Sequence, residues 1–229
     1  MANMVITIDG PAASGKSTVA RLLAERLGAS FLDTGAMYRA VTLAAIEAGV
    51  DMSDEEKLLG VLETSELHFA VKEGKMAVCI DGLDVTERIR EPEVTAKARH
   101  IASAVKLREK LVEMQRQFAS TEKKIVTEGR DQGSVAFPDA DVKFFLTADA
   151  KERARRRQAE LRPKGSSESL EQIQRAIEER DKSDEDRAVG PLRPADDAIV
   201  IDTTDLSIEE VVEKLLCCVE EKCLKRKQK

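Results

Sequence analysis

The sequence predicts an α/β fold with a mostly parallel sheet, and three observations carry that prediction. Apolar runs of strand length alternate with longer stretches of helical periodicity along nearly the whole chain. A glycine-bearing loop at residues 10–18 joins the first of those runs to the first helical stretch, a connection that parallel α/β units use. A hairpin signal within residues 66–89 interrupts the series and predicts a small antiparallel insert.

Taken in order, Met4-Val5-Ile6-Thr7-Ile8 reads as the first strand, and residues 19–27, apolar at 19, 20, 22, 23 and 27, as the first helix. Between them, Gly10-Pro11-Ala12-Ala13-Ser14-Gly15-Lys16-Ser17-Thr18 fits the pattern G-x-x-x-x-G-K-[ST]. Glycines at 10 and 15 permit a tight loop whose main-chain N–H groups turn inward around a polyphosphate, and the helix N-terminus adds partial positive charge there. Lys16 is placed to reach β/γ-phosphates, and the Ser17 hydroxyl to ligate Mg²⁺. The pattern predicts that the chain binds a nucleoside triphosphate.

Ser30-Phe31-Leu32 is a short second strand, after which Asp33-Thr34-Gly35 opens a helix through Ile46 that Gly49 can end. The hairpin pairs Leu67-His68-Phe69-Ala70-Val71 with Met76-Ala77-Val78-Cys79-Ile80 across the turn Lys72-Glu73-Gly74-Lys75. Residues 93 to about 120 form a long helical stretch with a break near Ser103. Lys124-Ile125-Val126-Thr127 is a core strand running into Glu128-Gly129-Arg130-Asp131. Val142-Lys143-Phe144-Phe145-Leu146 and Ala198-Ile199-Val200-Ile201-Asp202 are the remaining strands. The last helix starts at about Ser207, an N-cap with Glu210 three residues on, and runs into a basic tail expected to fray. Two charged helices, from Glu152 to Arg162 and from Leu170 to about Asp186, are joined by Pro163-Lys164-Gly165-Ser166-Ser167. That arrangement predicts a closing lid.

A chain of 229 residues, 42% hydrophobic and 35% charged, is most simply one domain, 1–229, with the insert at about 60–95 and the lid at about 151–175. A formal net charge of -6, no Trp and a single Tyr argue against a nucleic-acid partner. No run of 18 apolar residues and no cleavable leader pattern is present, so the expectation is a cytoplasmic chain that does not bind membranes. Cys79, Cys217, Cys218 and Cys223 form no C-x-x-C pair and are expected as free thiols. His68 and His100 have no triad or metal partner in the pattern and are expected to be structural. Nothing demands more than a monomer.

Phosphoryl transfer requires dispersed positive charge around the moving group, an anchor for the acceptor, and exclusion of water. Arg153 and Arg157 lie four apart on one helix face, with Arg156 beside them. They read either as lid guanidiniums for phosphates or as a solvated face paired with Glu152 and Glu160. Arg180, Asp184 and Arg187 form one stripe on the next helix, suited to an anionic, hydroxyl-bearing ligand or to an ordinary ladder of ion pairs. Arg39, Arg130 and Asp131 each follow a strand, at the carboxyl edge where open α/β sheets bind ligands.

Four motifs occur in order: the loop at 10–18, Asp33-Thr34-Gly35-Ala36-Met37-Tyr38-Arg39, Glu128-Gly129-Arg130-Asp131, and Glu179-Arg180-Asp181 with Asp184 and Arg187-Ala188-Val189. With them the chain resembles the bacterial cytidylate kinases over essentially its whole length. The resemblance implies a three-layer P-loop kinase core with a monophosphate-binding insert and a helical lid. It also implies transfer of the γ-phosphoryl group of ATP to CMP or dCMP with Mg²⁺. Residues 10–18 would bind ATP, with Ser17 on the metal. Thr34, Arg39, Arg108, Arg130, Asp131, Arg180, Asp184 and Arg187 match positions used for the monophosphate. The arginines there hold its phosphate and help read the base, Asp131 is suited to the cytosine amino group, and Asp184 and Arg180 contact the sugar. Lys16, Arg130, Arg153 and Arg157 would act on the transferring phosphates. The chain departs from the pattern at Arg99, where many relatives carry a hydroxyl residue near the base.

Two other classes compete. Guanine-reading switch proteins built on the same loop use an N-K-x-D motif, and the one asparagine of this chain is Asn3, ahead of the first strand. An ATPase motor or a kinase for a non-nucleotide shares the loop, but the hairpin insert and the acceptor-side arginines favour a nucleotide monophosphate.

Overall fold

The computed structural model describes residues 4–72 and 75–227. Five parallel strands form the main sheet: β1 (Met4–Asp9), β2 (Ser30–Asp33), β6 (Lys124–Gly129), β7 (Val142–Thr147) and β8 (Ile199–Asp202), in the order β2-β6-β1-β7-β8. β1 lies between β6 and β7, with Ile6 opposite Val126 and Val142. Covered on both faces, β6 is buried from Ile125 to Gly129 and β7 is buried or half-buried throughout, whereas the edge strand β8 alternates and leaves Val200 exposed.

Helices cover both faces. α1 (Lys16–Leu27) and α8 (Ile208–Lys227) pack on one, where Val19, Leu23, Val211 and Leu215 meet Ile6, Ile8, Phe144 and Leu146. On the other face lie α2 (Thr34–Glu47), α3 (Glu55–Thr64), α4 (Pro92–Ser103) and α5 (Val105–Thr121). The sequence signals at the helix ends act as expected. Asp33 caps α2 by accepting from Ala36 N, and Gly49, at φ 65°, ends it. Ser207 and Glu210 form a reciprocal capping pair at α8. The helical stretch from 93 breaks at Ala104, which is extended between α4 and α5.

A separate antiparallel sheet joins β3 (Leu67–Lys72), β4 (Lys75–Ile80) and β5 (Leu83–Asp84), with Leu67 opposite Ile80. Glu73 and Gly74 of the expected turn lie outside the described residues. Met76, Val78 and Ile80 of this small sheet are buried in the same cluster as Met37, Val41 and Leu43 of α2, so the insert shares a core with the main domain. α6 (Ala150–Leu161) and α7 (Leu170–Glu185) pack through Ala154, Ile173 and Ile177, and a capping box at Ser169 and Gln172 starts α7. Among the described residues no helix is long and apolar enough to cross a membrane, and the four cysteines are free thiols. Gln228 and Lys229 of the basic tail lie outside the described residues.

Candidate active site

The loop between β1 and α1 is shaped by backbone that only certain residues tolerate. Gly10 has φ 148°, and a Cβ there would overlap the carbonyl oxygen of Leu146 on the neighbouring strand. Gly15, at φ 88°, caps α1 in the left-handed region, and Ala13 takes the same region at φ 58° despite its side chain. Lys16 is buried, its Nζ donating to Pro11 O at 2.6 Å and to Ser14 Oγ at 3.4 Å. Burial and the nearby Arg130 charge push its pKa down to about 7, against the pull of Glu128 and Asp9.

Ser17 Oγ donates to Glu128 Oε1 at 2.8 Å, across the boundary between α1 and the carboxyl end of β6. One hydroxyl and one carboxylate oxygen side by side suit a hard divalent cation that takes its other ligands from phosphate and water. Among the described residues no group of three or more His, Cys, Asp or Glu side chains is placed to hold a metal by itself.

Along the same edge the structure gathers the expected acceptor residues. Thr34 Oγ1 donates to Glu128 O at 2.7 Å. Arg39 Nη2 and Arg90 Nη2 each lie 3.4 Å from Asp33 Oδ2. Arg108 pairs with Asp131, donates to Ala102 O at 3.1 Å, and sits 5.8 Å from the Tyr38 ring centroid. Asp184 accepts from Arg130 Nε at 2.7 Å and from Arg187. Arg180 makes no hydrogen bond or ion pair among the described residues; desolvation and Arg130 lower its pKa to about 10, so it stays cationic at pH 7. Burial raises the pKa of Asp131, and Arg108 leads the charges that oppose it. Six guanidiniums (Arg39, Arg90, Arg108, Arg130, Arg180, Arg187) thus gather with four carboxylates (Asp33, Glu128, Asp131, Asp184), an excess of two positive charges. Arg39 Nε and Arg108 Nε are buried without a protein partner. Such a cluster is built for an anion that also offers acceptor oxygens.

The lid arginines separate. Arg153 is buried and bonded to Ala148 O, Ala12 O and Asp181, while Arg156 donates to Thr203 O at 2.5 Å. Arg157 pairs with Glu160 at 3.0 Å on the surface and is not brought against the loop. A cavity of 520 Å³ is lined by Glu55, Arg99, His100, Ser103 and Ser183 among others, and none of the expected acceptor residues belongs to that lining.

Several contributors escaped sequence reasoning. Glu128 belonged to a recognised motif, yet only the sheet order sets it against Ser17. Asp9 Oδ1 and Oδ2 accept from the main chains of Gln132 and Gly133, each at 2.8 Å, and so fix the turn after Arg130 and Asp131. Gly190, at φ 62°, brings main chain against the Arg108–Asp131 pair so closely that a Cβ would overlap both side chains. Gly190-Pro191 is a turn-forming pair in the sequence, but it does not disclose which side chains the turn meets.

A triphosphate-type loop and a cationic anion pocket, meeting at Arg130 on one edge of a parallel sheet, define a phosphoryl-transferring kinase of the phosphate-loop class. The family model described as cytidylate kinase matches residues 6–221. Cytidylate kinase of Desulfitobacterium hafniense is 46% identical over 220 residues, 96% of this chain and 94% of that protein. Cytidylate kinase of Caldicellulosiruptor saccharolyticus is 45% identical over 216 residues, 94% and 95% of the two chains. The chain belongs to the cytidylate kinase family. At the level of fold alone, it is similar to crystal structures of a Thermus thermophilus protein (TM-score 0.50, 19% identity, 97% and 98% coverage) and of an uncharacterized protein from Eubacterium ventriosum (0.51, 15%, 96% and 99%).

Proposed function

We propose that this chain transfers the γ-phosphoryl group of ATP to CMP or dCMP, giving ADP and CDP or dCDP. The observation that carries the reading is the adjacency of the loop at 10–18 to the arginine cluster, with Arg130 close enough to Lys16 to shift its titration. An acceptor phosphate oxygen forms the new bond to the γ-phosphorus as the bridging bond to the β-phosphate oxygen breaks, and that oxygen leaves with its electron pair on ADP. The attacking oxygen is already anionic, so neither a general-base triad nor a covalent intermediate is needed.

The main chain of residues 10–18 and Lys16 hold the ATP phosphates. Arg39, Arg130 and Arg187 take the acceptor phosphate, and Arg108, Asp131, Arg180, Asp184 and Thr34 orient the nucleoside. Ser17 and Glu128 would hold Mg²⁺, which would supply positive charge to the phosphates. Arg157 reaches the phosphates when the lid closes, whereas Arg153 stays bonded beneath the loop. The same reading makes the enzyme a cytoplasmic monomer, with 25.2 kDa as the expected mass by light scattering.

The test is coupled ADP release with CMP, dCMP, UMP, AMP, GMP and shikimate as acceptors. Turnover led by CMP or dCMP is expected; preference for a purine nucleotide or shikimate refutes the assignment. Lys16→Ala is expected to lower kcat by about 10²-fold or more while the fold persists, a magnitude typical of losing one preorganised charge at a transition state. Near-normal turnover of that variant, with circular dichroism unchanged, removes Lys16 from the site.

A further inference from the structure

We propose that Asp181 is a positioning residue for ATP binding: through Ala12 and Arg153 it holds the phosphate loop in its ligand-binding conformation. The inference rests on reading residues 10–18 as the ATP loop. Along α7 the buried positions are Ile173, Ile177, Asp181 and Asp184, so Asp181 continues the stripe of the two buried isoleucines with a carboxylate. A buried carboxylate persists only where it is fully bonded. Asp181 Oδ1 accepts from Ala12 N at 3.0 Å, and Oδ2 accepts from Arg153 Nη1. Arg153 in turn donates to Ala12 O at 3.1 Å and, through Nε, to Ala148 O at 3.0 Å.

Both polar groups of Ala12 are therefore tied to side chains from two lid helices. The next residue is Ala13, which takes the left-handed conformation that an alanine disfavours. Fixing the peptide groups on either side of Ala12 removes the alternatives into which Ala13 would relax. The phosphate-binding curvature of the loop is thus set by a residue that touches no phosphate. Asp181 also lies between Arg180 and Asp184 on α7, so the helix that contacts the acceptor is bolted to the loop that binds the donor.

The test substitutes Asp181→Asn, whose single oxygen can satisfy Ala12 N or Arg153 but not both. MgATP and CMP affinities are measured separately by titration calorimetry, with Arg153→Lys as an independent second variant. Asp181→Asn is expected to weaken MgATP by about tenfold, the scale of one charge-assisted hydrogen bond, and CMP by less than about threefold. Adding Ala13→Gly, which relieves the left-handed penalty, is expected to recover part of the lost MgATP affinity. Unchanged MgATP affinity overturns the proposal. Equal weakening of both ligands also overturns it, since that marks a general structural role. A double variant no tighter than Asp181→Asn overturns it as well. A wild-type chain that binds CMP but no MgATP overturns the loop assignment along with the inference, and is told apart by the wild-type titration alone.

Discussion

Asp9 and Lys16 titrate abnormally for one reason, burial at the floor of the loop, but with opposite consequences for stability. Burial raises the Asp9 pKa from 3.8 to about 7, ahead of any charge effect. The folded chain therefore holds a proton that the unfolded chain has lost, and this contribution to stability falls as pH rises from about 4 to about 7. Burial lowers Lys16 from 10.5 to about 7, so the unfolded chain binds the extra proton and stability recovers between about pH 7 and 10. The nucleotide-free protein is expected to show a dip in thermal midpoint near neutrality. Asp9→Asn is expected to flatten its acid limb and Lys16→Met its alkaline limb, both read by calorimetric scans from pH 5 to 9. A wild type and an Asp9→Asn variant with parallel profiles on the acid side would show that Asp9 is ionised normally.

At the scale of elements, α1, α2, α5 and α7 supply most side chains of the site, and the segments after β1, β6 and α7 supply the rest. The segment after α7 carries Arg187 and Gly190 back over α5 and the end of β6, where Leu192 N bonds Asp184 O at 2.8 Å. Gly190 is tolerated there for two separate reasons, its positive φ and the space taken by Arg108 and Asp131. Gly190→Ala is therefore expected to drive Arg108 from Asp131 and raise KM for CMP by about tenfold or more, with KM for ATP little changed, since a buried ion pair is broken. Steady-state kinetics with each substrate varied decide this; a loss confined to ATP contradicts the assignment. The arginines of α6 look alike in spacing, yet Arg153 joins the loop, Arg156 anchors to Thr203, and Arg157 is left to solvent and Glu160.

At the scale of the molecule, the insert is continuous with the main core, because β4 buries Met76, Val78 and Ile80 against α2. One cooperative unfolding transition is expected, with coincident urea midpoints by far-UV circular dichroism and by the fluorescence of Tyr38, the single tyrosine. An earlier CD step without change at Tyr38 would mean that the insert unfolds independently.

Strands β1, β6 and β7, helices α1, α2 and α8, and the hairpin were legible because each rests on local apolar periodicity and end signals. α3 was not anticipated, although Asp54 followed by Glu55 and Glu56 is an N-terminal signal; its apolar stripe is only Leu58 and Leu62. Within the site, the loop was legible as a contiguous motif, and the resemblance supplied Arg108. The partnerships were hidden. Arg108 and Asp131 are 23 residues apart, Ser17 and Glu128 are 111 apart, and Ala12 and Asp181 are 169 apart.

By itself, then, the sequence determined what is encoded in neighbouring residues: a phosphate loop between strand and helix, an α/β alternation, an inserted hairpin and a set of candidate charges. Only the tertiary structure decided which of those charges gather at the sheet edge, which bond the loop and which face water. A side chain's role depends on what stands within about 3 Å of it, the reach of a hydrogen bond. Chain spacing beyond a helical turn carries no such distance until the sheet order has brought the strand ends together.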